Sequence, residues 1–263
     1  MKNNKKIQVS VIIPTWNRAH LLKKVIQSVL NQTIPVSEIL ISDDGSTDDS
    51  YKIVQSFKNP KIKWLSSKHL GLPAVVRNRG IKESKGEWIA FLDSDDEWFP
   101  EKLEKQLALA NKTGSLAICS NAYSVNNKGN VKKYLNYTKN LITFSDIINV
   151  NYVICSSVII HRSLLSKCFG FPETPELKTG QDYALWLRIA TQTEFVYINE
   201  ILVNYFDEPS ITNRRYTKNP YLQKKLILKN FLQWGWKNKI GFKYLQMAFF
   251  SYLKSIKNLI FSL

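Results

Sequence analysis

The sequence predicts an α/β fold, a mostly parallel central sheet flanked by helices and followed by a helical extension. Three observations lead there. In the first 100 residues, short apolar runs rich in β-branched side chains alternate four times with amphipathic helical stretches. A polar loop follows each run, as expected where parallel strands are joined by right-handed crossovers. From Pro209 onward the chain changes character, with helical patterning, many aromatic residues and no Asp or Glu.

Taken in order, Val9-Ser10-Val11-Ile12-Ile13 reads as a strand covered on both faces, and Pro14 is expected to end it. Thr15-Trp16-Asn17-Arg18 is a polar loop before a helix whose Leu21, Leu22, Val25, Ile26, Val29 and Leu30 recur at helical spacing. A second strand over 38–42 runs into Asp43-Asp44-Gly45-Ser46, and Ser46-Thr47-Asp48-Asp49 reads as a cap for the next helix. A strand over 62–65, a loop over 67–71 and a helix over 73–84 follow. The run Glu87-Trp88-Ile89-Ala90-Phe91-Leu92 is then a buried strand that ends in Asp93-Ser94-Asp95-Asp96.

Beyond this point, a helix is expected over 101–111, a strand over 116–120, hairpins through Asn140 and a long strand over 151–161. Tyr183-Ala184-Leu185-Trp186-Leu187-Arg188 has a strong helical pattern, with Asp182 at its cap or first turn. Helical patterning resumes near Tyr221, with breaks expected at Trp234-Gly235-Trp236 and at Gly241.

Composition narrows the class. A length of 263 residues, 44% hydrophobic content and seven tryptophans describe a folded chain able to bury a full core. Cys119, Cys155 and Cys168 lack metal-type pair spacing and read as reduced core thiols of a cytosolic protein. His20, His69 and His161 form no ligand-like group. The basic N-terminus runs straight into the first strand without a long apolar stretch or cleavage site, so it does not read as a signal peptide.

Three carboxylates within four residues at a strand tip repel one another unless a cation or strong donors hold them ionised. Hard oxygen ligands suit Mg2+ or Mn2+, which characteristically bind a few carboxylates together with substrate phosphates. The bland alternative is a solvated acidic turn capping the next helix. In open α/β sheets, ligands bind at the carboxyl ends of the strands, which would gather Asn17, Asp44, Arg77 and Asp95 in one crevice. The chain has neither Gly-x-Gly-x-x-Gly nor Gly-x4-Gly-Lys-Ser/Thr, so phosphates would be held by metal and arginine.

Five stretches together resemble the ordered motifs of family 2 glycosyltransferases. They are Val11-Ile12-Ile13-Pro14-Thr15-Trp16-Asn17-Arg18, Ile41-Ser42-Asp43-Asp44-Gly45-Ser46-Thr47-Asp48, Ala74-Val75-Val76-Arg77-Asn78-Arg79-Gly80, the run from Gly86 to Asp93-Ser94-Asp95-Asp96, and Asp182-Tyr183-Ala184-Leu185-Trp186-Leu187-Arg188. The resemblance covers roughly residues 9–206 and implies a GT-A fold, a nucleotide-sugar donor and inversion at the anomeric carbon. It implies that Pro14, Thr15, Trp16, Asn17, Asp43, Asp44, Arg77, Asp93 and Asp95 bind the nucleotide, that Asp95 and Asp96 hold Mn2+ or Mg2+, and that Asp182 is the general base. Gln181-Asp182 stands where relatives have Glu-Asp, so the base is kept and the acidic neighbour is not. Trp16 stands where Tyr is commoner.

The expected activity is metal-dependent transfer of a hexose or N-acetylhexosamine, from a UDP-sugar donor to a glycan or lipid-linked acceptor in cell-surface polysaccharide synthesis. Two rivals are weighed. A nucleotidyltransferase of related fold would carry a Gly-rich basic loop after the first strand, which Pro14-Thr15-Trp16-Asn17 is not. A non-enzymatic polyanion- or nucleic-acid-binding protein would use the net charge of +16, but an acidic cluster at the crevice opposes it, and no nucleic-acid partner is expected.

The charge is uneven. Residues 209–263 hold 11 of the 16 excess positive charges and divide from a catalytic domain over 1–208 as a basic, aromatic helical extension. Its longest uncharged run, 244–253, is about half the length of a membrane span of roughly 20 residues. Leu245, Phe249, Tyr252, Ile256, Ile260 and Leu263 are expected on one helical face, with Lys243, Lys254 and Lys257 opposite. This suits a helix lying on an anionic membrane, placing the protein peripherally at the inner face of the cell membrane. Docking of the same helices on the catalytic domain is the alternative.

Overall fold

The computed structural model describes residues 7–126, 129–206 and 219–261. The residues at 1–6 read above as no signal peptide, the basic Arg214 and Arg215, and Leu263 lie outside the described residues. The first half runs β1 (Val9–Thr15), α1 (Ala19–Leu30), β2 (Glu38–Asp43), α2 (Ser50–Ser56), β3 (Ile62–Ser66), α3 (Pro73–Glu83) and β4 (Trp88–Phe91). There follow β5 (Glu97–Trp98), α4 (Lys102–Thr113), β6 (Ala117–Val125), β7 (Val131–Lys133), β8 (Leu141–Ile142) and α5 (Phe144–Ile147). The last part is β9 (Ile159–His161), α6 (Arg162–Lys167), α7 (Gln181–Ala190), β10 (Phe195–Phe206), α8 (Pro220–Lys237) and α9 (Phe242–Ile260).

One sheet runs in the order β3-β2-β1-β4-β9-β6-β10-β5. Its first four strands are parallel, as the strand-helix alternation predicts. The short strand β9 is antiparallel to both β4 and β6, whereas β6 and β10 are parallel. The chain moves outward from β1 to β3 and returns to place β4 on the other side of β1. This reversal opens a crevice at the carboxyl ends of β1 and β4, where open α/β sheets bind their ligands.

Close packing sets the geometry around that crevice. Val9, Val11, Ile12 and Ile13 of β1 are buried, as are Leu22, Val25, Ile26 and Val29 of α1. At Gly80 a Cβ would lie 2.5 Å from Ile12 Cγ2, so only glycine lets α3 approach β1 this closely. That approach carries Arg77 over the strand ends.

Several expectations change in three dimensions. Pro14 does not end β1, because Ile12 O accepts from Leu92 N while Thr15 O accepts from Asp44 N. By alternation, the missing N–H of Pro14 faces the β4 side, beyond the last pair Ile12↔Phe91, and costs no ladder bond. The long strand over 151–161 is a short one: Cys155–Ser157 form a 3-10 turn in which Ser157 Oγ donates to Ile154 O at 2.9 Å. Asp48 does not cap α2 but joins two segments, accepting from Ala19 N at 2.9 Å and Ser50 N at 3.0 Å. Arg79 of α3 is tied to the end of β2, its Nε donating to Ser42 Oγ at 3.2 Å.

In the tail, α8 runs unbroken through Gly235, and the break falls at Gly241. Ile227, Leu228 and Phe231 of α8 join the main core. The inward face of α9 is Leu245, Ala248 and Ser255, with Tyr252 packed beside them, so the expected face holds at Leu245 and Tyr252 and fails at Phe249 and Ile260. Phe249 is 49% exposed and Ile260 63%. No helix among the described residues is long and apolar enough to cross a membrane.

Candidate active site

A cavity of about 830 Å3 opens at the carboxyl ends of β1, β2 and β4 and is closed on its far side by α7 and α8. From the loop after β1 come Pro14, Thr15, Trp16 and Arg18. Trp16 is 41% exposed and stacks on His69 with ring centroids 4.3 Å apart. Asn17 does not line the cavity. Its backbone is left-handed at φ 51°, its N–H donates to Ser46 Oγ at 2.8 Å, and its Oδ1 accepts from Thr47 N at 2.8 Å. Asn17 thus clasps the loops after β1 and β2 together.

The two aspartates after β2 differ. Asp43 is buried and accepts from Gly45 N, Ser46 N and the hydroxyls of Ser46 and Ser66, which forms the turn but keeps it out of the cavity wall. Asp44 lines the cavity. It accepts from Leu70 N at 3.0 Å and Gly71 N at 2.8 Å, and His69 Nδ1 lies 2.9 Å away, so the loop after β3 is folded around it. Gly45, at φ 77°, has no room for a Cβ, which would lie 2.7 Å from His69 N.

At the tip of β4, Asp93, Asp95 and Asp96 each present a carboxylate oxygen, all within 4.8 Å of one another. Asp93 and Asp95 line the cavity. Asp96 lies beneath them, fully buried, accepting from Ser156 Oγ at 2.5 Å and Phe206 N at 3.0 Å. Ser156 Oγ also accepts from Asp93 N at 3.0 Å, so one buried serine couples the tip to the 3-10 turn. Three hard oxygens this close fit a divalent ion such as Mg2+ or Mn2+.

Arg77 pairs with Asp93 from above, its side chain 8% exposed. Burial opposes its charge, but Asp93, with Cys155 and Asp182 adding to it, raises its pKa. Asp182, half-buried in the first turn of α7, has its pKa raised, chiefly by desolvation, with Arg77 pulling the other way and Asp93 adding to the rise. Cys155, also on the wall, is a buried thiol pushed well above its ordinary range by burial.

Three buried polar atoms on this wall, Thr15 Oγ1, Arg77 Nε and Gln181 Oε1, have no hydrogen-bond partner among the described residues. Buried polar groups are normally satisfied, so these three mark a surface built to receive a polar ligand. Sequence reasoning did not select His69, Ser156, Lys178 or the α8 residues Gln223, Lys224 and Ile227, which also shape this site. A signal existed for His69, which sits in a loop after a parallel strand. For the α8 residues there was none.

The family 2 glycosyl transferase profile matches residues 10–169, more than half of the chain and every β-strand of the crevice. The chain belongs to glycosyltransferase family 2. It is 35% identical over 191 residues to the UDP-Glc:alpha-D-GlcNAc-diphosphoundecaprenol beta-1,3-glucosyltransferase WfgD of Escherichia coli, covering 73% of each protein. It is also 35% identical over 200 residues to the uncharacterized glycosyltransferase RC0461 of Rickettsia conorii, covering 74% of this chain but only 32% of that longer protein. Among solved structures, S. aureus TarS 1-349 in complex with UDP-GlcNAc aligns with a TM-score of 0.77 at 19% identity, covering 95% of this chain and 72% of that one. That likeness carries the GT-A fold and extends through the tail helices.

Proposed function

We propose that this family 2 enzyme is inverting and metal-dependent, moving a hexose or N-acetylhexosamine from a UDP-sugar to a lipid-linked glycan acceptor in cell-surface polysaccharide synthesis. The observation that carries it is the meeting of Asp95, Arg77 and Asp182 around one cavity whose wall holds unpaired buried polar groups. The name of WfgD, the relative covered to 73%, supports the donor and acceptor classes.

Pro14, Thr15, Trp16 and Asp44 receive the nucleoside on this reading, with Asn17 and Asp43 holding their loops in place. Arg77 and the Asp93-Asp95 tip face the diphosphate. Asp95 and Asp96 would hold Mn2+ or Mg2+, and the ion, when bound, would supply Lewis-acid stabilisation of the departing diphosphate. Asp182 takes the proton of the acceptor hydroxyl as that oxygen bonds to C1. The C1–O bond to the diphosphate breaks, its electron pair leaves with UDP, and the single displacement inverts C1. A base whose pKa is raised by desolvation accepts that proton more readily than an ordinary carboxylate, and Arg77 keeps it from rising too far.

Residues 1–208 supply the reacting groups and 209–263 the membrane contact. Trp236, Phe242, Phe250 and Phe261 are 61–79% exposed, on a segment with lysines and no acid. Aromatic residues interleaved with lysines suit the interface of an anionic bilayer, which places the enzyme at the inner membrane face beside its acceptor.

Calorimetry with UDP, GDP and CDP, with and without Mn2+, tests the donor site. Tight metal-dependent binding of UDP alone is the expected result, and binding of none of the three would overturn the reading.

A further inference from the structure

One rim of the cavity is formed by the turn at 148–151, and the tail helices are fastened to it at two points. Lys224 of α8 donates from Nζ to Asn149 O at 2.8 Å, and Ser251 of α9 donates from Oγ to Ile148 O at 3.4 Å. Lys254 lies three residues beyond Ser251, on the same side of α9, and its charge acts on Lys224. Lys224, Asn149 and Asn151 all line the cavity.

Two ammonium groups near one edge of a cavity repel each other. Burial lowers the Lys224 pKa and Lys254 lowers it further, the response of a cation that pairs with no carboxylate among the described residues. No acid is available from the tail, which has none between Asn219 and Phe261. The nearby Asp146 of α5 pairs with Lys139 at 2.7 Å. Meanwhile Asn149 O accepts only one N–H of Lys224, leaving the rest of that ammonium for another partner.

We infer that Lys224 and Lys254 form a subsite for the diphosphate of a lipid-linked acceptor, separate from the donor-diphosphate contacts at Arg77 and Asp95. The inference rests on the acceptor class proposed above and deepens it. Phe250, one turn before Lys254 and 61% exposed, offers the first lipid carbons an apolar path out of the pocket. The acceptor sugar then points inward towards Asp182, and its diphosphate stays at the rim. Tail and catalytic body would thus be joined by the acceptor itself.

The test is calorimetric titration of dodecyl diphosphate in neutral maltoside micelles, with UDP and Mg2+ saturating so that the donor site is filled. The full chain is compared with Lys224→Met/Lys254→Met and with Lys224→Arg/Lys254→Arg. The wild type and the arginine variant are expected to bind, and the methionine variant to bind at least about tenfold more weakly, as loss of charge-assisted contacts implies. UDP affinity in each variant reports that the fold is intact. Failure of UDP to bind the wild type would sink the donor reading, whereas UDP binding without dodecyl diphosphate binding would overturn the subsite alone. Sedimentation with phosphatidylglycerol vesicles separates the two phosphate sources. Retained vesicle binding by the methionine variant supports the subsite, and an equal loss on both ligands assigns the pair to membrane headgroups and overturns it.

Discussion

The Arg77 guanidinium pairs with the Asp93 carboxylate at the cavity floor, and the charge of Asp182, from an element more than 80 residues further along the chain, acts on both. One cation therefore serves two carboxylates with different expected tasks, one beside the departing diphosphate and one that accepts a proton.

Replacing Arg77 with Met leaves Asp93 and Asp182 facing each other without a countercharge. Removing one partner of a buried pair costs about 3–5 kcal/mol. Urea unfolding should show a loss of that order, and Arg77→Met/Asp93→Asn should regain a large part of it. UDP affinity should fall in both variants.

Asp182→Asn should lower transfer by roughly 10²–10⁴-fold while UDP affinity stays within about twofold, measured by steady-state kinetics and calorimetry. It should also stabilise the protein at neutral pH. The folded-state pKa of Asp182 is raised, so between its unfolded and folded values the native state binds more protons, and stability falls as pH rises through that window. The Asn variant lacks this penalty, and its melting temperature should exceed that of the wild type at pH 7 but not at pH 3.

Asp95→Ala should abolish the response of UDP binding to Mn2+ and leave the melting temperature within a few degrees of wild type. An unchanged metal dependence would move the ion to other ligands.

Gln223 of α8 donates from Nε2 to Thr179 O at 2.8 Å and Thr179 Oγ1 at 3.0 Å, gripping the turn just before Asp182. Gln223→Ala should cost about 1 kcal/mol of stability. Its diagnostic effect is a several-fold fall in kcat with the donor KM unchanged, since only the base is displaced. A purely structural role would leave kcat intact.

Asp146 closes a capping box on α5 with Thr143 and pairs with Lys139, which lowers its pKa to about 2 despite opposing burial. Against an ordinary carboxylate this is worth about 2 kcal/mol, present at neutral pH and lost as pH falls through the folded value. Asp146→Asn should flatten that acid limb of the stability curve and loosen the 148–151 rim.

The strand-helix alternation, the crevice at the strand ends and the acidic tip were legible in the sequence, because periodicity and turn chemistry are local properties. Legibility stopped where a residue's role depends on distant partners. Asp43 and Asp44 are neighbours of identical type, yet one is enclosed by the hydroxyls of Ser46 and Ser66 while the other faces the cavity. Ser156 looked like a strand residue, and its link to Asp96 spans 60 positions. The inward face of α9 was misjudged at Phe249 and Ile260, because helical periodicity counts apolar residues and cannot tell which of them meet a neighbouring helix.

The sequence by itself determined the α/β class, the family and the strand tip where acids gather, since hydrophobic periods of two and 3.6 and motif order survive without coordinates. Only the tertiary structure decided which carboxylates face the cavity and that α8 forms part of its wall. It also brought Lys224 to the cavity rim, within reach of the charge of Lys254. These are juxtapositions of residues far apart in the chain, set by how helices and sheet close-pack, and no local pattern encodes them.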